Sequence, residues 1–544
     1  MINLPKNINP VAYFCVEFGI DNELPTYAGG LGILAGEVIS AAADINFPMI
    51  GIGLLHKGRK FVQHIDETGY QHDLDSVFDP NTSFLRETTI NGKPLIIEIS
   101  CGETIKVRSY YIRLADHTLL FFLSPNVDGN SEDWRGLLNT IYWGDEDTQI
   151  KQNILLGVGG VKLLEALKIK PSFYHLNEGR PAFVVTELIK HLSGVDKKDV
   201  ENSWNLAQQS IVYTNHTLVK AGNVSYDPQK VRHYLELIDV HKQLDINFII
   251  EKGIEQESKR FDMTRFALNA SHKVSAVSKA HGKISKKLWP NYNWYAITNG
   301  VHLPRWQTHA FRNTSIHDRD LWDNHVRKKA DLSKMVLNRT GFKYDHNRLV
   351  VTWARRVAGY KQPKAVISDL NRLVKIITRE NKAIQLLFAG KVHPGDDQNK
   401  LVLQEIIRYM QNELSGYAIF VPDYDISLAK SLVSGSDIWL NTPKPNEEAS
   451  GTSGMKALSN GVLNMTTVGG WAKEVNWENV GWKLDDNNLS ASIYSSLEEA
   501  QDIYYETTGD YPKTWVERMR KSIELSKNFT ADRMLKEYVK YLYS

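Results

Sequence analysis

Between residues 349 and 468 five short apolar runs recur with helical stretches between them: LVVTWA (349–354), IQLLFAG (384–390), YAIFVP (417–422), DIWLNT (437–442) and VLNMTTV (462–468). Each run is apolar almost throughout instead of alternating, which is the pattern of a strand covered on both faces. The stretch KAVISDLNRLVKIITREN, after the first run, sets Val366, Leu370, Leu373 and Ile377 at helical intervals. Strand and helix in alternation predict an α/β fold with a doubly wound parallel sheet.

The first half is less regular and reads as α/β too. TQIKQNILLGVGGVKLLEALKI places Ile154, Val158, Val161 and Leu164 on one helical stripe and leads into a strand-like SFYHLN. With 544 residues, 42% of them hydrophobic, the chain can bury more than one core. The turn-rich ITNGVHLPRW and the polar QTHAFRNTSIHDRD that follows it suggest a boundary near residue 305. The expected organisation is a Rossmann-like domain over 1–305, a second over 306–505, and a charged helical segment over 506–544 packed on the outside of a domain. No internal repeat occurs at a fixed period.

Charge excludes several function classes. Lys plus Arg (65) nearly balance Asp plus Glu (63), so no field is strong enough to argue for nucleic acid, a membrane surface or a polyanion. Cys15 and Cys101 are the only cysteines, which gives no disulfide framework and no thiolate metal cluster, and is compatible with a reducing compartment. The opening MINLPKNINPVAYF lacks a signal peptide's pattern and no run approaches a membrane span, so a cytoplasmic protein is expected. His56, His64 and His72 are spaced by eight, which matches neither helical nor strand ligand pairs, and no metal site is expected.

Four stretches could carry chemistry, and their common theme is anion binding. In NEEASGTSGMKALSNG (446–461), just past a strand end, Gly451, Thr452, Ser453 and Gly454 can turn amides and hydroxyls toward an anion, with a helix starting near Met455 and one lysine, Lys456. A tight strand-to-helix turn with a solvated lysine fits the same residues. YAGGLGILAGE (27–37) enters a helix, and Gly29, Gly30 and Gly32 permit close approach of backbone to a phosphate or simply a packed turn. WARRVAGYKQPK (353–364) ends a strand on Arg355 and Arg356 with Lys361 a turn later, three cations suited to two anionic groups or to a solvated helix start. FYHLNEGRPAF (173–183) and IVYTNHTLVKAG (211–222) end strands on polar side chains, His216 being the best single candidate for a hydroxyl ligand. No Gly-x-Ser-x-Gly elbow, P-loop or zinc-binding helix is present, and no pair of glycosidase carboxylates stands out.

Taken in order from about residue 11 to residue 475, YAGGLGILAG, YTNHT, ITNGVHLPRW, ARRVAGYK, VPDYDISLAK and EASGTSGMKALSNGVL resemble the α-glucan (glycogen, starch or maltodextrin) phosphorylases. The resemblance implies a glycosyltransferase-type (GT-B) fold, two Rossmann-like domains facing across a cleft, with the last helix crossing back to the first domain. It implies that Lys456 carries pyridoxal 5′-phosphate as a Schiff base. Thr452, Ser453, Gly30 and Arg355 would surround the cofactor phosphate and Tyr424 would lie near its ring. Arg356 and Lys361 would hold inorganic phosphate, and Glu448, Ser450, Gly451 and His216 would bind glucosyl hydroxyls. The implied reaction is reversible phosphorolysis yielding α-glucose 1-phosphate, the cofactor's phosphate helping to shuttle the substrate phosphate's proton. Glucan or maltodextrin and inorganic phosphate are then the partners, without nucleic acid or membrane, and a homo-oligomer stays open.

Several positions depart from the family pattern. Arg180 stands where histidine is general, Gln362 where arginine is common, and Asn223 where shorter relatives often have histidine; the long enzymes carry lysine at the position of Arg355. These departures bear on substrate preference and on activity itself. The chain is shorter than animal-type phosphorylases and starts almost at the first motif, so their amino-terminal regulatory region is not expected. Two rival readings are a nucleotide-sugar glucosyltransferase of the glycogen or starch synthase type, which has no cofactor lysine, and an inactive relative that only binds glucan.

Overall fold

The computed structural model describes residues 8–57, 62–74, 78–139, 141, 144–196, 199–218, 223–313, 315–506 and 509–544. Two compact units emerge. The first comprises Met1–Lys60, Ser76–Thr298 and Met534–Ser544; the second comprises Phe61–Asp75 and Asn299–Arg533.

The first unit is built on a ten-stranded sheet. Seven strands are parallel, in the spatial order Trp294–Ala296, Lys273–Ala276, Ile211–Asn215, Phe173–Asn177, Val11–Phe14, Met49–Leu54, Thr118–Ser124. Beyond Thr118–Ser124 the sheet turns antiparallel through the twelve-residue strand Thr104–Ala115, which pairs with Arg86–Glu87 and Ile96–Ser100. The helix Glu146–Ala166 is buried along most of its length, and its Ile154, Val158, Val161 and Leu164 join the core of Phe14, Ile52 and Phe121. The chain's last helix begins at Ala531, and its Tyr538, with Tyr543 just beyond, packs edge-on to His175 in this unit. His175 is hydrogen-bonded to Tyr543 (2.6 Å) and to Thr214 (2.7 Å).

The second unit holds a six-stranded, wholly parallel sheet whose strands are Leu349–Ala354, Ile384–Ala389, Ala418–Val421, Ile438–Asn441, Leu463–Thr467 and Gly481–Leu484 in chain order. In space they stand third, second, first, fourth, fifth, sixth, the doubly wound order. The stretch read as one helix after the first strand is interrupted: a 3-10 turn over Ala365–Ile367 precedes the helix Leu370–Ile377. Asp369 caps that helix by accepting from Arg372 N (3.0 Å). Also in this unit is a hairpin from the first half of the sequence, Val62–Ile65 paired with Gln71–Leu74. Among the described residues no helix is long and apolar enough to cross a membrane.

Candidate active site

In the second unit the chain leaves Leu349–Ala354 toward one edge of the sheet and later leaves Ile438–Asn441 toward the other. Where neighbouring strands part in this way, a crevice opens beyond their carboxyl ends. Arg355 and Arg356 follow the first of these strands directly, and they differ in environment. Arg355 is 8% exposed, Arg356 open to solvent. Arg355 donates from Nη2 to Leu440 O (3.3 Å), while its Nε is buried with no hydrogen-bond partner among the described residues. Burial pulls the Arg355 pKa below its ordinary value, against the attraction of Glu448, Tyr424 and Tyr360. A buried cation with an unused donor is suited to an anion.

The loops after the two strands are stitched together. Thr442 Oγ1 donates to Lys361 O (2.9 Å) and accepts from Trp353 Nε1 (3.1 Å), and Lys444 N donates to Tyr360 O (2.9 Å). Lys361 and Glu448 form an ion pair, both side chains largely buried. Ser450 is buried and its carbonyl accepts from Trp471 N (3.3 Å). Gly451 adopts φ +78°, the left-handed region that a side chain would strain. Gln362 also lies in that region and donates from Nε2 to Thr442 O (3.2 Å).

The helix expected near Met455 begins two residues earlier and runs Ser453–Leu458. Ser453 Oγ accepts from Trp439 Nε1 (3.2 Å), which locks the turn onto the fourth strand. Thr452 precedes the helix, half-buried and making no side-chain cap. Lys456 is 6% exposed, so the solvated-lysine reading fails. Its ammonium stands 4.0 Å from the centre of the Trp306 ring, a cation–π contact. Asn460 holds the two together: its Nδ2 donates to Trp306 O (2.9 Å) and to Lys456 O (3.1 Å). Trp306 was legible only as the end of ITNGVHLPRW, since a turn-rich signal does not say what a ring covers. Tyr424 follows the third strand; burial pushes its phenol up to about 12, against the pull of Arg355.

In the first unit, Gly30 opens the helix Gly30–Asp44. Among the described residues a Cβ on Gly29 or Gly30 would meet nothing within 4 Å, whereas one on Gly32 would come within 2.7 Å of Glu17 Oε2. Glu17 clamps this turn by accepting from Ala28 N (2.6 Å) and Gly29 N (3.1 Å).

His216 follows Ile211–Asn215. Its Nε2 is hydrogen-bonded to Asn177 Oδ1 (2.5 Å) and its backbone N donates to Glu178 Oε1 (2.6 Å). Burial, then the neighbouring His281, lowers the His216 pKa to about 3, so the ring is neutral and Nδ1 remains its acceptor. Glu178 sits at φ +70°, accepts from Thr217 Oγ1 (3.1 Å), and is raised in pKa by burial. Strained, buried polar residues of this kind gather at functional sites. Glu17 escaped sequence reasoning, whereas Asn177 and Glu178 were reached only as part of FYHLNEGRPAF, whose strand ends on polar side chains, without being singled out.

The departing residues have local partners. Arg180 Nη2 donates to Gln149 Oε1 (3.4 Å), and Asn223 Nδ2 donates to Asp262 Oδ2 (3.2 Å). Residues 219–222 of the His216 stretch lie outside the described residues. His64 faces His72 across the hairpin. His72 pairs with Asp66 (2.7 Å), and among the described residues no group of three or more His, Cys, Asp or Glu could hold a metal ion.

Parallel strands in doubly wound order, with a buried arginine and a covered lysine past their ends, make this an α/β protein whose cations suit an anion. Comparison with known proteins makes this specific. The family model described as carbohydrate phosphorylase matches residues 162–318 and 309–483. The chain is 33% identical to the maltodextrin phosphorylase of Thermococcus litoralis, in an alignment covering all of this chain and 71% of that protein. It is 32% identical to a glycogen phosphorylase of Aquifex aeolicus (98% of this chain, 86% of that one) and 30% identical to that of Mycobacterium tuberculosis (98% and 70%). The chain belongs to the carbohydrate phosphorylase family.

Proposed function

We propose that the chain catalyses reversible phosphorolysis of the terminal α-1,4-linked glucose of an α-glucan, releasing α-D-glucose 1-phosphate, with pyridoxal 5′-phosphate held on Lys456. The observation that carries this reading is the buried Lys456 ammonium under the Trp306 ring, just past the fourth strand of the doubly wound sheet. The residues present fit the cofactor: a lysine shielded from water by an aromatic face, and a buried guanidinium with an unused Nε at the end of the first strand. In the second unit Arg355, Thr452 and Ser453 would take its phosphate, with Tyr424 near its ring; in the first unit the open turn at Gly30 is a further phosphate candidate. When bound, the cofactor supplies a second phosphate group, and so proton-holding capacity, beside the substrate phosphate.

The chain's own residues bind and orient the reactants. The exposed Arg356 guanidinium and Lys361 would hold inorganic phosphate, and Lys361 must exchange Glu448 for it. Within the second unit Glu448, once released, can accept from a glucosyl hydroxyl, with Ser450 and Gly451 beside it; in the first unit neutral His216 is a further candidate acceptor for a glucosyl hydroxyl. The C1–oxygen bond of the terminal glucose breaks and the departing oxygen takes a proton from bound phosphate. A phosphate oxygen then closes on C1 from the same face. Positive charge develops at C1 beside an anion already in place, so orientation and electrostatic placement supply most of the barrier reduction. Cys15 and Cys101 are both buried and free, in keeping with a cytoplasmic place of action.

The test is phosphate-dependent release of glucose 1-phosphate from maltodextrins and glycogen. Wild-type protein should release it and Lys456→Ala should not. Glucose transfer from a nucleotide sugar, or glucan binding without release, would sink the proposal in favour of a synthase-like transferase or a silent binder.

A further inference from the structure

The hairpin Val62–Ile65/Gln71–Leu74 is held in the second unit by two buried glutamines whose amides are fully engaged. Gln63 Nε2 donates to Gln71 Oε1 (2.7 Å) and to Gly390 O (2.9 Å), and Gln63 Oε1 accepts from Asp423 N (2.9 Å). Gln71 pairs with both backbone groups of one residue, donating to Val392 O (2.9 Å) and accepting from Val392 N (3.0 Å), as an adjacent strand would. The hairpin therefore grips the loops that follow the second and third strands of the sheet.

One of those loops carries a strained residue. Asp423, immediately before Tyr424, adopts φ +57°, a left-handed conformation uncommon outside glycine. Its surroundings hold it there. Besides the bond to Gln63 Oε1, its Oδ1 takes Gln63 N (3.3 Å) and the Lys391 ammonium (2.5 Å), and its carbonyl takes Arg339 Nη1 (2.7 Å). A backbone strain fixed from three sides and set next to a ligand residue is the arrangement expected where a site is preorganised. Gly390 belongs to the same clamp: a Cβ there would come within 1.9 Å of Arg355 O, so the loop lies directly on the backbone of the buried arginine.

We propose that this hairpin is a positioning element of the anion site: Gln63, braced by Gln71, fixes Asp423 in its left-handed conformation, while Gln63 and Gln71 hold the Gly390–Val392 loop, and the two together keep Tyr424 and the backbone of Arg355 where they meet the cofactor. The inference rests on the reading of Tyr424 and Arg355 as cofactor residues. It assigns Gln63 and Asp423 a role through other residues, not a contact with substrate.

The test compares wild-type holoenzyme with Gln63→Leu, Asp423→Ala, Asp423→Asn and, as a control on the same hairpin, Thr68→Ala, whose hydroxyl meets only Gln404 (2.9 Å) and Asp66 (2.7 Å) among the described residues. The readouts are the circular dichroism of the bound cofactor, kcat, and the glucan KM, taken well below each variant's melting temperature. Gln63→Leu and Asp423→Ala should alter the cofactor signal and lower kcat roughly ten- to a hundredfold with the glucan KM unchanged. Asp423→Asn, which tolerates the left-handed region and still accepts from Gln63 N, should keep the wild-type signal, as should Thr68→Ala. Wild-type signal and kcat in a folded Gln63→Leu or Asp423→Ala would overturn the inference; if Gln63→Leu does not fold, Asp423→Ala decides. A wild-type protein that binds no cofactor would instead overturn the functional reading on which the inference rests.

Discussion

At the scale of single residues, the site separates groups that carry charge from groups that must not. His216 is neutral across the physiological range because burial holds its pKa near 3, so it contributes a hydrogen bond and no charge to a sugar hydroxyl. His216→Ala should therefore lower kcat/KM for glucan about ten- to a hundredfold, the worth of one buried hydrogen bond to a substrate, with the shape of the pH–rate profile between pH 5 and 8 unchanged. A new or missing limb in that profile would contradict the assignment. Lys361 and Glu448 are the reverse case, two charges that neutralise each other without ligands. In Glu448→Gln the lysine loses its internal competitor. Phosphate KM should fall or hold steady while kcat/KM for glucan drops by about tenfold or more, and steady-state kinetics with each substrate varied separates the two. A rise in phosphate KM would mean that Glu448 organises the lysine instead of competing for it.

At the scale of elements, five of the second sheet's six strands were legible to within a residue or so, the sixth, Gly481–Leu484, being missed, and the reason is physical. Strands buried on both faces must be apolar almost throughout; the run at 349–354 is a strand over its full length and the run at 384–390 over all but its last residue. The first half was harder because its sheet changes character: Thr104–Ala115 is antiparallel and mixes buried residues such as Ile105 and Val107 with exposed ones such as Lys106 and Arg113, so it produces no uniform run. The hairpin at 62–74 escaped altogether, since VQHI and QHDL are polar enough to read as loop, and the buried partners of Gln63 and Gln71 lie more than 300 positions away. The site shows the same division: GTSGMK and ARR announce a lysine and two arginines, but not the Trp306 ring or the pairing of Lys361 with Glu448.

A buried charge cluster was likewise hidden in a helix of polar composition, Asp318–Thr340. Lys329 Nζ meets Asp437 Oδ2 (2.7 Å) and donates to Arg348 O (2.8 Å), and His325 Nε2 meets Asp437 Oδ1 (2.7 Å). Burial alone would raise the Asp437 pKa; Lys329 and His325 outweigh it, and the carboxylate stays ionised. Lys329→Met leaves that carboxylate buried without its main countercharge and should cost the second unit about 3–5 kcal/mol, read as a drop in its urea midpoint. An unchanged midpoint would mean that the pair adds nothing net.

For the whole molecule, acid stability follows from four histidines of the first unit. Burial lowers His56 and His281 to about 4 and His175 and His216 to about 3. In the unfolded chain each returns to about 6.5, so below that pH the unfolded state binds more protons than the native one. Stability from this source is complete above about pH 6.5 and declines as pH falls toward 4, at a slope approaching about 1.4 kcal/mol per pH unit for each histidine. Calorimetric scans from pH 7 to pH 5 should show the first unit's transition moving steeply down in temperature. A pH-independent transition would mean that these rings are protonated in the fold.

The account as a whole turns on one residue, Lys456. Borohydride reduction of the purified protein followed by peptide mass mapping should find a phosphopyridoxyl group on the peptide containing Lys456 and on no other lysine. A folded protein supplied with cofactor that yields no adduct, or an adduct elsewhere, would contradict the central claim.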